Sequence, residues 1–586
     1  MHNPVALLDE RLRAAIAGAL GPDFAGADPV LRRSTQAKFG DFQANAAMAL
    51  AKQVGRPPRD VATAIVEHLD TEVLCSAVEV AGPGFINLTL APESLSQAAA
   101  ELLDDERLGV AAAEPRRVVI DYSAPNVAKE MHVGHLRSTI LGDALVRVLQ
   151  FAGHEVIRQN HLGDWGTPFG MLIEHLVDIG EEEAIRELSV GDLTAFYKEA
   201  SAKFHADPGF ADRARQRVVL LQGGDEATLR LWRLLFEASK VYFNTVYDRL
   251  GVLLTDDDIA AESFYNPRLS AVAAELEDKG LAVLNEGALC VFPAGFTNRD
   301  GQSLPLIIRY STGGYGYATT DLAALRYRSL ELEAHRILYV VGAPQATHLA
   351  MIFAVGQMAE WLGPEGPAAE HVPFGSILGE DRKMYKTRTG HSVRLIDLLD
   401  EAVERAAAKV AEANPDLDAA TRGKVARLVG IGAVKYADLA SDRVKDYVFD
   451  WDRMLAFEGN TAPYLQYAHA RIRSIFRRAE VAGGGGGDGG GRATVLVAEP
   501  AERALVLQLL GLDEVVAAVA ELLQPHRLCT YLFDVASAFT TFYEQCPVLR
   551  APDETTRDSR LALCELTART LALGLGLLGI EAPDRM

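Results

Sequence analysis

Hydrophobic and polar positions along the chain divide it into stretches with different periodicity. Up to about residue 112, helical spacing alternates with strand-like runs, and the turn Gly82-Pro83-Gly84 separates two apolar runs within Val73–Leu90. Two short apolar runs, Val118–Ile120 and Ile337–Val341, predict buried strands. From about residue 395 to the end, apolar residues recur three or four positions apart, which predicts helices.

This pattern predicts a multidomain chain with α/β and all-α parts. We expect an N-terminal α+β domain over 1–112, an α/β domain over 113–394 and a helical bundle over 395–586. Polar, helix-rich and weakly patterned residues from about 170 to 300 are typical of an insertion. The segment 483–491, GGGGGDGGG, predicts a flexible loop between helices, because a phosphate-binding loop needs defined glycine spacing after a strand.

Composition and charge narrow the class of protein. The chain has 586 residues with 58 Lys and Arg against 80 Asp and Glu, a net charge of −22 at pH 7. Its 49% hydrophobic and 24% charged residues exclude wholesale disorder. The charge argues against a generally basic coat for nucleic acid or membranes. A local basic face remains possible, because residues 421–480 hold 11 Lys and Arg against 7 Asp and Glu.

Cysteine use and the N-terminus indicate the compartment. The five cysteines are scattered and form no C-x-x-C pair, which favours free thiols in a reducing compartment. The first 20 residues predict an amphipathic helix rather than a signal peptide. No apolar run approaches the roughly 20 residues of a membrane span. We therefore expect a cytoplasmic protein without a membrane partner.

The segment Val118–Leu149 contains the densest chemical signal. Its strand ends at Asp121, Pro125 prevents a simple continuation of that strand, and a helix is predicted to start near His132 or His135. A helix N-terminus that follows a strand offers free N–H groups and a positive dipole end. The segment therefore predicts a site for an anion such as a nucleotide phosphate.

The motif His132-Val133-Gly134-His135 lies at this helix start. Two imidazoles three positions apart can face one site, and the glycine between them lets a flat base approach the backbone. Zinc would need a third ligand, and neither an H-E-x-x-H motif nor a nearby cysteine supplies one, so we expect no metal site. On spacing alone, two incidental core histidines also fit.

A second segment, Lys383–Gly390, places three cations within six residues beside threonines and a glycine. A mobile loop of this composition can close over a triphosphate and stabilise the charge that builds on a leaving pyrophosphate. Taken by itself, the segment fits a solvated basic turn better.

Together the two segments resemble the signatures of a class I aminoacyl-tRNA synthetase. HVGH stands for the HIGH-type motif, and KMYKT for a degenerate KMSKS loop. The likeness narrows to arginyl-tRNA synthetases through Phe39–Asn45, Gly82–Asn87, Ser123–Asp143, Gly163–Gly170, Tyr317–Asp321, Tyr464–Ser474 and Cys546–Leu549. It implies a Rossmann-like catalytic domain with insertions, an N-terminal module for the tRNA elbow and a C-terminal anticodon-binding bundle.

The resemblance also implies the reaction and its partners. Members of this family join L-arginine to ATP, release pyrophosphate and pass the arginyl group to the terminal adenosine of tRNA(Arg). ATP is thus a substrate, and Mg²⁺ is expected with it, whereas zinc is not. We expect a monomer.

Residue by residue, the resemblance implies an arginine site. The planar guanidinium has five donors and a permanent charge, so it needs carboxylate and amide acceptors. By resemblance, Tyr317 and Asp321 fill that role. The family pattern gives the α-amino and carboxylate ends of arginine to Asp121, Ser123, Asn126, His135 and Gln345.

The same resemblance implies an ATP site. His132 and His135 would donate to the phosphates, and Gly134 would lie under the adenine. Lys383 and Lys386 belong to the signature loop, and Lys386 would contact the pyrophosphate. The loop departs from KMSKS at Tyr385 and Thr387. Family members with a degraded loop often have a compensating lysine upstream of the histidines, a position that Lys129 occupies here.

RNA contacts are expected at both ends of the chain. Tyr467, Arg471, Ser474 and Arg478 form one helical stripe, which by spacing alone also fits a solvated helix face. By resemblance, Tyr543 and Met586 would stack on bases of the anticodon loop. In the N-terminal module, the candidate tRNA contacts are Gln43 and Asn45.

The sequence leaves three alternative functional classes to consider. One is another class I synthetase, against which the absence of zinc cysteines and the YATTD and SAPNVAKE segments argue. A second is a non-catalytic RNA-binding paralogue, which the intact candidate site residues disfavour. A third is a small-molecule nucleotidyltransferase with the same fold, which would leave the helical C-terminal region unexplained.

Overall fold

The computed structural model describes residues 3–34, 36–71, 73–127, 129–180, 193–298, 300–364, 366–385, 393–481 and 494–586. Lys386, Thr387 and the glycine-rich segment 483–491 lie outside the described residues. The order of the described elements confirms the predicted fold class, with α+β, α/β and all-helical parts along the chain.

The N-terminal part is a four-stranded antiparallel sheet covered by helices. Its strands are β1 (Leu31–Arg33), β2 (Phe42–Ala44), β3 (Cys75–Ala81) and β4 (Phe85–Leu90), in the order β1-β2-β4-β3. β3 and β4 are the two apolar runs predicted on either side of the glycine-proline turn. The helices span Pro4–Leu20, Ala46–Val54, Pro58–Glu67 and Pro92–Asp104.

A parallel sheet forms the centre of the second part. Its strands are β5 (Arg117–Asp121), β6 (Glu155–Gln159), β10 (Arg336–Tyr339) and β11 (Ala368–His371), in the order β11-β10-β5-β6. β5 and β10 are the two predicted buried runs. Asp121, Gln159 and Tyr339 are in register at the carboxyl ends of three adjacent strands. In open α/β sheets, ligands bind beyond these ends.

Helices surround this sheet, and two smaller sheets flank it. The helices span Val133–Phe151, Thr167–Ile179, Leu193–Ala206, Pro208–Gln222, Glu226–Leu250, Glu262–Tyr265, Leu269–Asp278, Tyr317–Arg326 and Ala346–Met358. The predicted insertion is helical, but it leads into an antiparallel sheet that the pattern did not indicate, β7 (Ala282–Asn285), β8 (Ala288–Val291) and β9 (Leu306–Arg309). A two-residue strand β12 (Ile377–Leu378) pairs in parallel with β13 (Tyr447–Val448).

The C-terminal part is helical, as predicted. Its helices span Leu395–Ala413, Ala419–Leu439, Trp451–Met454, Ala462–Val481, Pro500–Leu509, Leu512–Leu522, His526–Gln545 and Glu554–Leu577. Helical turns elsewhere are Pro22–Phe24, Ala37–Phe39, Asp256–Asp258, Asn266–Arg268, Ala343–Gln345 and the π-turn Tyr327–Glu331. Within the described residues, no helix is long and apolar enough to cross a membrane.

Polar contacts join the three parts. Arg137, on the helix after β5, is buried and donates to Asp438 Oδ1 at 2.9 Å and to the Lys445 carbonyl at 2.9 Å. Arg503 donates through Nε to Asp41 Oδ1 at 3.0 Å, which attaches the N-terminal sheet to the helical part. Arg569 donates to the Asp105 carbonyl at 2.7 Å. The central sheet and the N-terminal sheet are thus both fixed to the C-terminal helices.

Arg137→Met should lower the apparent free energy of unfolding by about 3–5 kcal/mol, because it leaves Asp438 buried and unpaired. Urea unfolding followed by tryptophan fluorescence measures this loss. Arg473→Ala is the matched control, since Arg473 and Glu565 form an exposed pair at 2.9 Å that should contribute about 1 kcal/mol or less. Adding Asp438→Leu to Arg137→Met should restore part of the stability. Equal losses for Arg137→Met and the control would contradict this account.

Candidate active site

A buried ion pair lies at the carboxyl ends of the central strands. Arg328 Nη2 is 2.9 Å from Asp121 Oδ2, and Arg328 Nε donates to Gln159 Oε1 at 2.6 Å. Both ionic side chains are almost fully buried. The other carboxylate oxygen of Asp121, Oδ1, is buried and has no hydrogen-bond partner among the described residues. One carboxylate oxygen beside this ion pair is therefore buried without a hydrogen-bond donor.

The loop after β5 is held in an uncommon backbone conformation. Ser123 and Ala124 have φ values of 70° and 46°, in the left-handed region, immediately before Pro125. The Ser123 hydroxyl is buried, 2.8 Å from Tyr247 Oη, and accepts from Thr139 Oγ1 at 2.9 Å. This predicted site residue therefore belongs to an internal hydrogen-bond network that reaches into the insertion.

The two histidines of the HVGH motif cap the helix that follows them. The helix begins at Val133, His132 Nδ1 accepts from Gly134 N at 3.0 Å, and His135 Nδ1 accepts from His132 N at 3.1 Å. Because both Nδ1 atoms accept from backbone N–H groups, each imidazole has its proton on Nε2. Both Nε2–H groups are thus left as donors, with the ring centroids 4.2 Å apart.

Both histidines are neutral at pH 7. Burial, with the nearby His132 and the positive charge of Lys129, lowers the pKa of His135 to about 4. Burial and Lys129 also lower the pKa of His132. Lys129 precedes His132 by only three residues, so its positive charge acts on both rings. Gly134 is needed here for space, because a Cβ at this position would lie 2.7 Å from His132 Cε1.

Tyr317 and Asp321 lie on one helix face, as their spacing predicts. Their helix begins at Tyr317, whose side chain is 66% exposed. His348 contacts both residues, since its Nε2 is 2.6 Å from Asp321 Oδ2 and its ring centroid is 5.1 Å from that of Tyr317. A hydroxyl and a carboxylate are therefore presented together at the end of the helix.

A cavity of about 650 Å³ lies between the loop after β5, the insertion and the start of the helix Tyr317–Arg326. Asn126, Lys129 and Tyr317 line it, together with Glu262 from the insertion. Burial, with the nearby charges of Asp164 and Asp321, raises the pKa of Glu262 to about 8. Glu262 is therefore mostly protonated at pH 7 in the empty cavity. A cation placed among these carboxyl groups would favour the ionised form.

Two other predicted residues lie apart from this cavity. Gln345 is exposed at the turn before the helix Ala346–Met358. Lys383 is exposed beside a second cavity of about 760 Å³, which is lined by Tyr385 and by Phe449 of the C-terminal part. The Tyr385 ring packs 4.9 Å from the Phe449 ring. The second predicted lysine of this loop, Lys386, lies outside the described residues.

The predicted RNA-facing stripe is accessible on the helix Ala462–Val481. Tyr467 is 46% exposed, Arg478 is exposed, and Arg471 lies 4.5 Å over the Tyr543 ring. Ser474 is half-buried and donates to the Arg471 carbonyl at 2.7 Å. The opposite face of the same helix is buried, at Leu465, Ala468, Ile472 and Ile475.

The remaining candidates lie at the two ends of the chain. Met586 is half-buried, and its carbonyl accepts from Asn414 Nδ2 at 2.9 Å. In the N-terminal sheet, Gln43 Nε2 donates to Asn87 Oδ1 at 2.8 Å. Asn45 Oδ1 is buried and has no partner among the described residues.

Sequence reasoning missed Glu262, Arg328 and His348. Glu262 lies in the weakly patterned insertion, Arg328 in a π-turn, and His348 belongs to no motif that we recognised. Only their long-range contacts identify them.

Within the described residues, no group of three or more His, Cys, Asp or Glu side chains is placed to hold a metal ion.

A parallel sheet with a histidine-capped helix after an inner strand is typical of class I aminoacyl-tRNA synthetases, and family models show that the chain belongs to this class. The model described as the catalytic domain of class I (R) tRNA synthetases matches residues 97–451. The arginyl tRNA synthetase N-terminal domain matches 6–90, and the DALR anticodon binding domain matches 465–586. The chain belongs to the arginyl-tRNA synthetase family, which confirms the resemblance found in the sequence.

Individual relatives match over the whole chain. The arginine–tRNA ligase of Thermobifida fusca is 58% identical over 591 residues, with 100% of both chains covered. The crystal structure of arginyl-tRNA synthetase from Plasmodium falciparum has a TM-score of 0.81 at 28% identity and 100% coverage of both chains. The arginyl-tRNA synthetase of Thermus thermophilus has a TM-score of 0.80 at 27% identity, covering 99% of this chain and 100% of its own.

Proposed function

We propose that this chain is an arginine–tRNA ligase. It activates L-arginine with ATP to form arginyl-adenylate and pyrophosphate, and then transfers arginine to the 3′-terminal adenosine of tRNA(Arg). The observation that supports this most directly is one cavity lined by Glu262 and Tyr317 for a cation and by Lys129 for phosphates. The neutral pair His132 and His135 lies near that lysine.

Recognition of the guanidinium is assigned to Tyr317, Asp321 and Glu262. A planar group with five donors needs several oxygen acceptors, and two carboxyl groups with a phenolic hydroxyl supply them. The α-ammonium group of arginine is assigned to the free Oδ1 of Asp121, with Asn126 at the cavity wall. Ser123, His135 and Gln345 are further candidates for this end of the substrate.

In the first step, a carboxylate oxygen of arginine forms a bond to the α-phosphorus while the bond to the β-phosphate oxygen breaks. The attacking carboxylate is already ionised, so the protein positions the reactants and neutralises charge. The Nε2–H groups of His132 and His135 would donate to phosphate oxygens, and Gly134 would face the adenine. Lys129 would stabilise the departing pyrophosphate.

The signature loop would add Lys383 and Lys386 to the ATP site once ATP is bound. Mg²⁺ is expected to accompany ATP.

tRNA(Arg) is assigned to the C-terminal helices and the N-terminal sheet. Tyr467, Arg471 and Arg478 would contact the RNA along one helix, with Tyr543 and Met586 at the anticodon loop. Gln43 and Asn45 are the candidates for the elbow. We also propose the division into domains at 1–112, 113–394 and 395–586, and a monomer that acts in the cytoplasm.

The decisive test is ATP–pyrophosphate exchange with each amino acid, in the presence and absence of tRNA(Arg). Only arginine should support exchange. His135→Ala should lower its rate by about 10²–10³-fold, because it removes one donor to the reacting phosphates. His205→Ala, which replaces an exposed histidine outside the cavity, should leave exchange unchanged. Exchange near the wild-type rate in His135→Ala would contradict the assignment.

Arginine binding should depend on pH through Glu262. The pKa of Glu262 is about 8 in the empty cavity, and the guanidinium favours the ionised carboxylate, so binding below pH 8 releases a proton. The dissociation constant for arginine should therefore fall as pH rises from 6.5 to 8, at a slope that approaches about tenfold per unit, and then level off. Calorimetry in buffers of different ionisation enthalpy measures both effects.

Glu262→Gln is the matched variant, because it keeps the shape and removes the titrating group. Its arginine affinity should be weaker at pH 8 and nearly constant between pH 6.5 and 8. A steep pH dependence that persists in Glu262→Gln would assign the proton to another group.

Arg478→Ala should weaken tRNA binding. It should also make the plot of log K against log salt less steep, by the amount that about one phosphate contact contributes. Arg478 is exposed and forms no ion pair within the described residues. Arg473→Ala is the control on the same helix, because Arg473 is already paired with Glu565 at 2.9 Å. Filter binding at several salt concentrations measures the slopes. Equal slopes for Arg478→Ala and the wild type would remove Arg478 from the RNA surface.

A further inference from the structure

The helix Leu193–Ala206 of the insertion is fixed beside the active-site cavity. Phe196 is buried, with its ring 4.8 Å from that of His175 on the neighbouring helix. Lys203 Nζ is 2.9 Å from His175 Nδ1. Two contacts on one face of the helix therefore hold it in place without the help of Tyr197.

Tyr197 lies on this helix and faces the cavity. Its ring and Lys129 both line the cavity wall, and Lys129 Nζ is 4.3 Å from the ring centroid. Lys129 forms no ion pair with any described residue. The adjacent carboxylate, Glu130, is buried and bound to Arg394 at 3.2 Å. The aromatic face of Tyr197 is thus the contact that the described residues provide for the ammonium group.

We propose that Tyr197 is a positioning residue, which holds the Lys129 ammonium at the cavity wall beside the two histidines until phosphate binds. The proposal rests on the function assigned to Lys129 above. Lysine has a flexible four-carbon stem, and a free side chain would lose rotamer entropy each time it met a phosphate. The ring restricts that freedom before the substrate arrives.

As a partner for the Lys129 ammonium group, an aromatic ring suits this purpose better than a carboxylate would. A carboxylate would neutralise the ammonium group and would repel the incoming triphosphate. An aromatic face attracts the cation weakly and carries no net charge, so the ammonium keeps its full charge for the phosphate. A polyanion then binds the cation more strongly than the ring does, and Lys129 can leave the ring as the pyrophosphate charge develops.

A double-mutant cycle on the full-length chain tests the proposal, with arginine-dependent ATP–pyrophosphate exchange in the presence of tRNA(Arg). Tyr197→Leu should lower kcat by about two- to fivefold, the size of one partly exposed cation–π contact, and leave the arginine KM unchanged. Tyr197→Phe keeps the aromatic face and should restore most of that loss. In a Lys129→Met background, Tyr197→Leu should cause no further loss.

Phe204→Leu is the matched control on the same helix. Its ring also lies near a cation, with Arg215 at 5.6 Å, but Phe204 does not line the cavity, so exchange should be unchanged. Wild-type kcat in Tyr197→Leu would overturn the proposal. So would an equal loss from Tyr197→Leu with and without Lys129, since that result indicates a purely structural role. Full activity of Lys129→Met would instead remove the function assigned to Lys129, and the inference with it.

Discussion

The buried ion pair between Arg137 and Asp438 is the contact on which the rest of the arrangement depends. Arg137 lies two residues beyond His135 and its guanidinium is 5.3 Å from the Tyr447 ring, while Asp438 belongs to the C-terminal helices. Burial of both charges is costly, and breaking the pair costs more than never burying it. This ion pair therefore fixes the relative positions of the helix Val133–Phe151, the short β12–β13 sheet and the C-terminal helices.

Protonation states in the cavity follow from burial rather than from residue type. The histidines are neutral because burial and Lys129 disfavour a second positive charge. Glu262 is mostly protonated because burial and neighbouring carboxyl groups disfavour another negative charge. Burial thus favours the uncharged forms of these three side chains, and a cation beside Glu262 would favour its ionised form.

Periodicity predicted those strands and helices whose buried residues are close together in the sequence. β4 and β5 are largely buried, and Leu465, Ile472 and Ile475 are buried on one face of their helix, so the apolar spacing of these segments indicates them directly. The candidate site could be predicted only where it coincides with motifs, as at His132 and Asp321. Glu262 and the ring of Tyr197 come from an insertion with little periodicity, and their importance arises from contacts across long stretches of chain. No local pattern encodes such contacts.

Contacts of the signature loop join the α/β part of the chain to the C-terminal helical part. Tyr385 N donates to the Ile377 carbonyl at 3.1 Å, β12 pairs with β13, and the Tyr385 ring packs on Phe449 just after β13. The residue that replaces the serine of the family signature thus serves as an aromatic anchor. The loop is attached to the start of the helical part, and Arg137 attaches the helix Val133–Phe151 to the same part. A shift of the C-terminal helices would therefore displace both halves of the proposed ATP site together. A net charge of −22 disfavours general attraction of RNA, so the proposed tRNA contacts would depend on a local basic face.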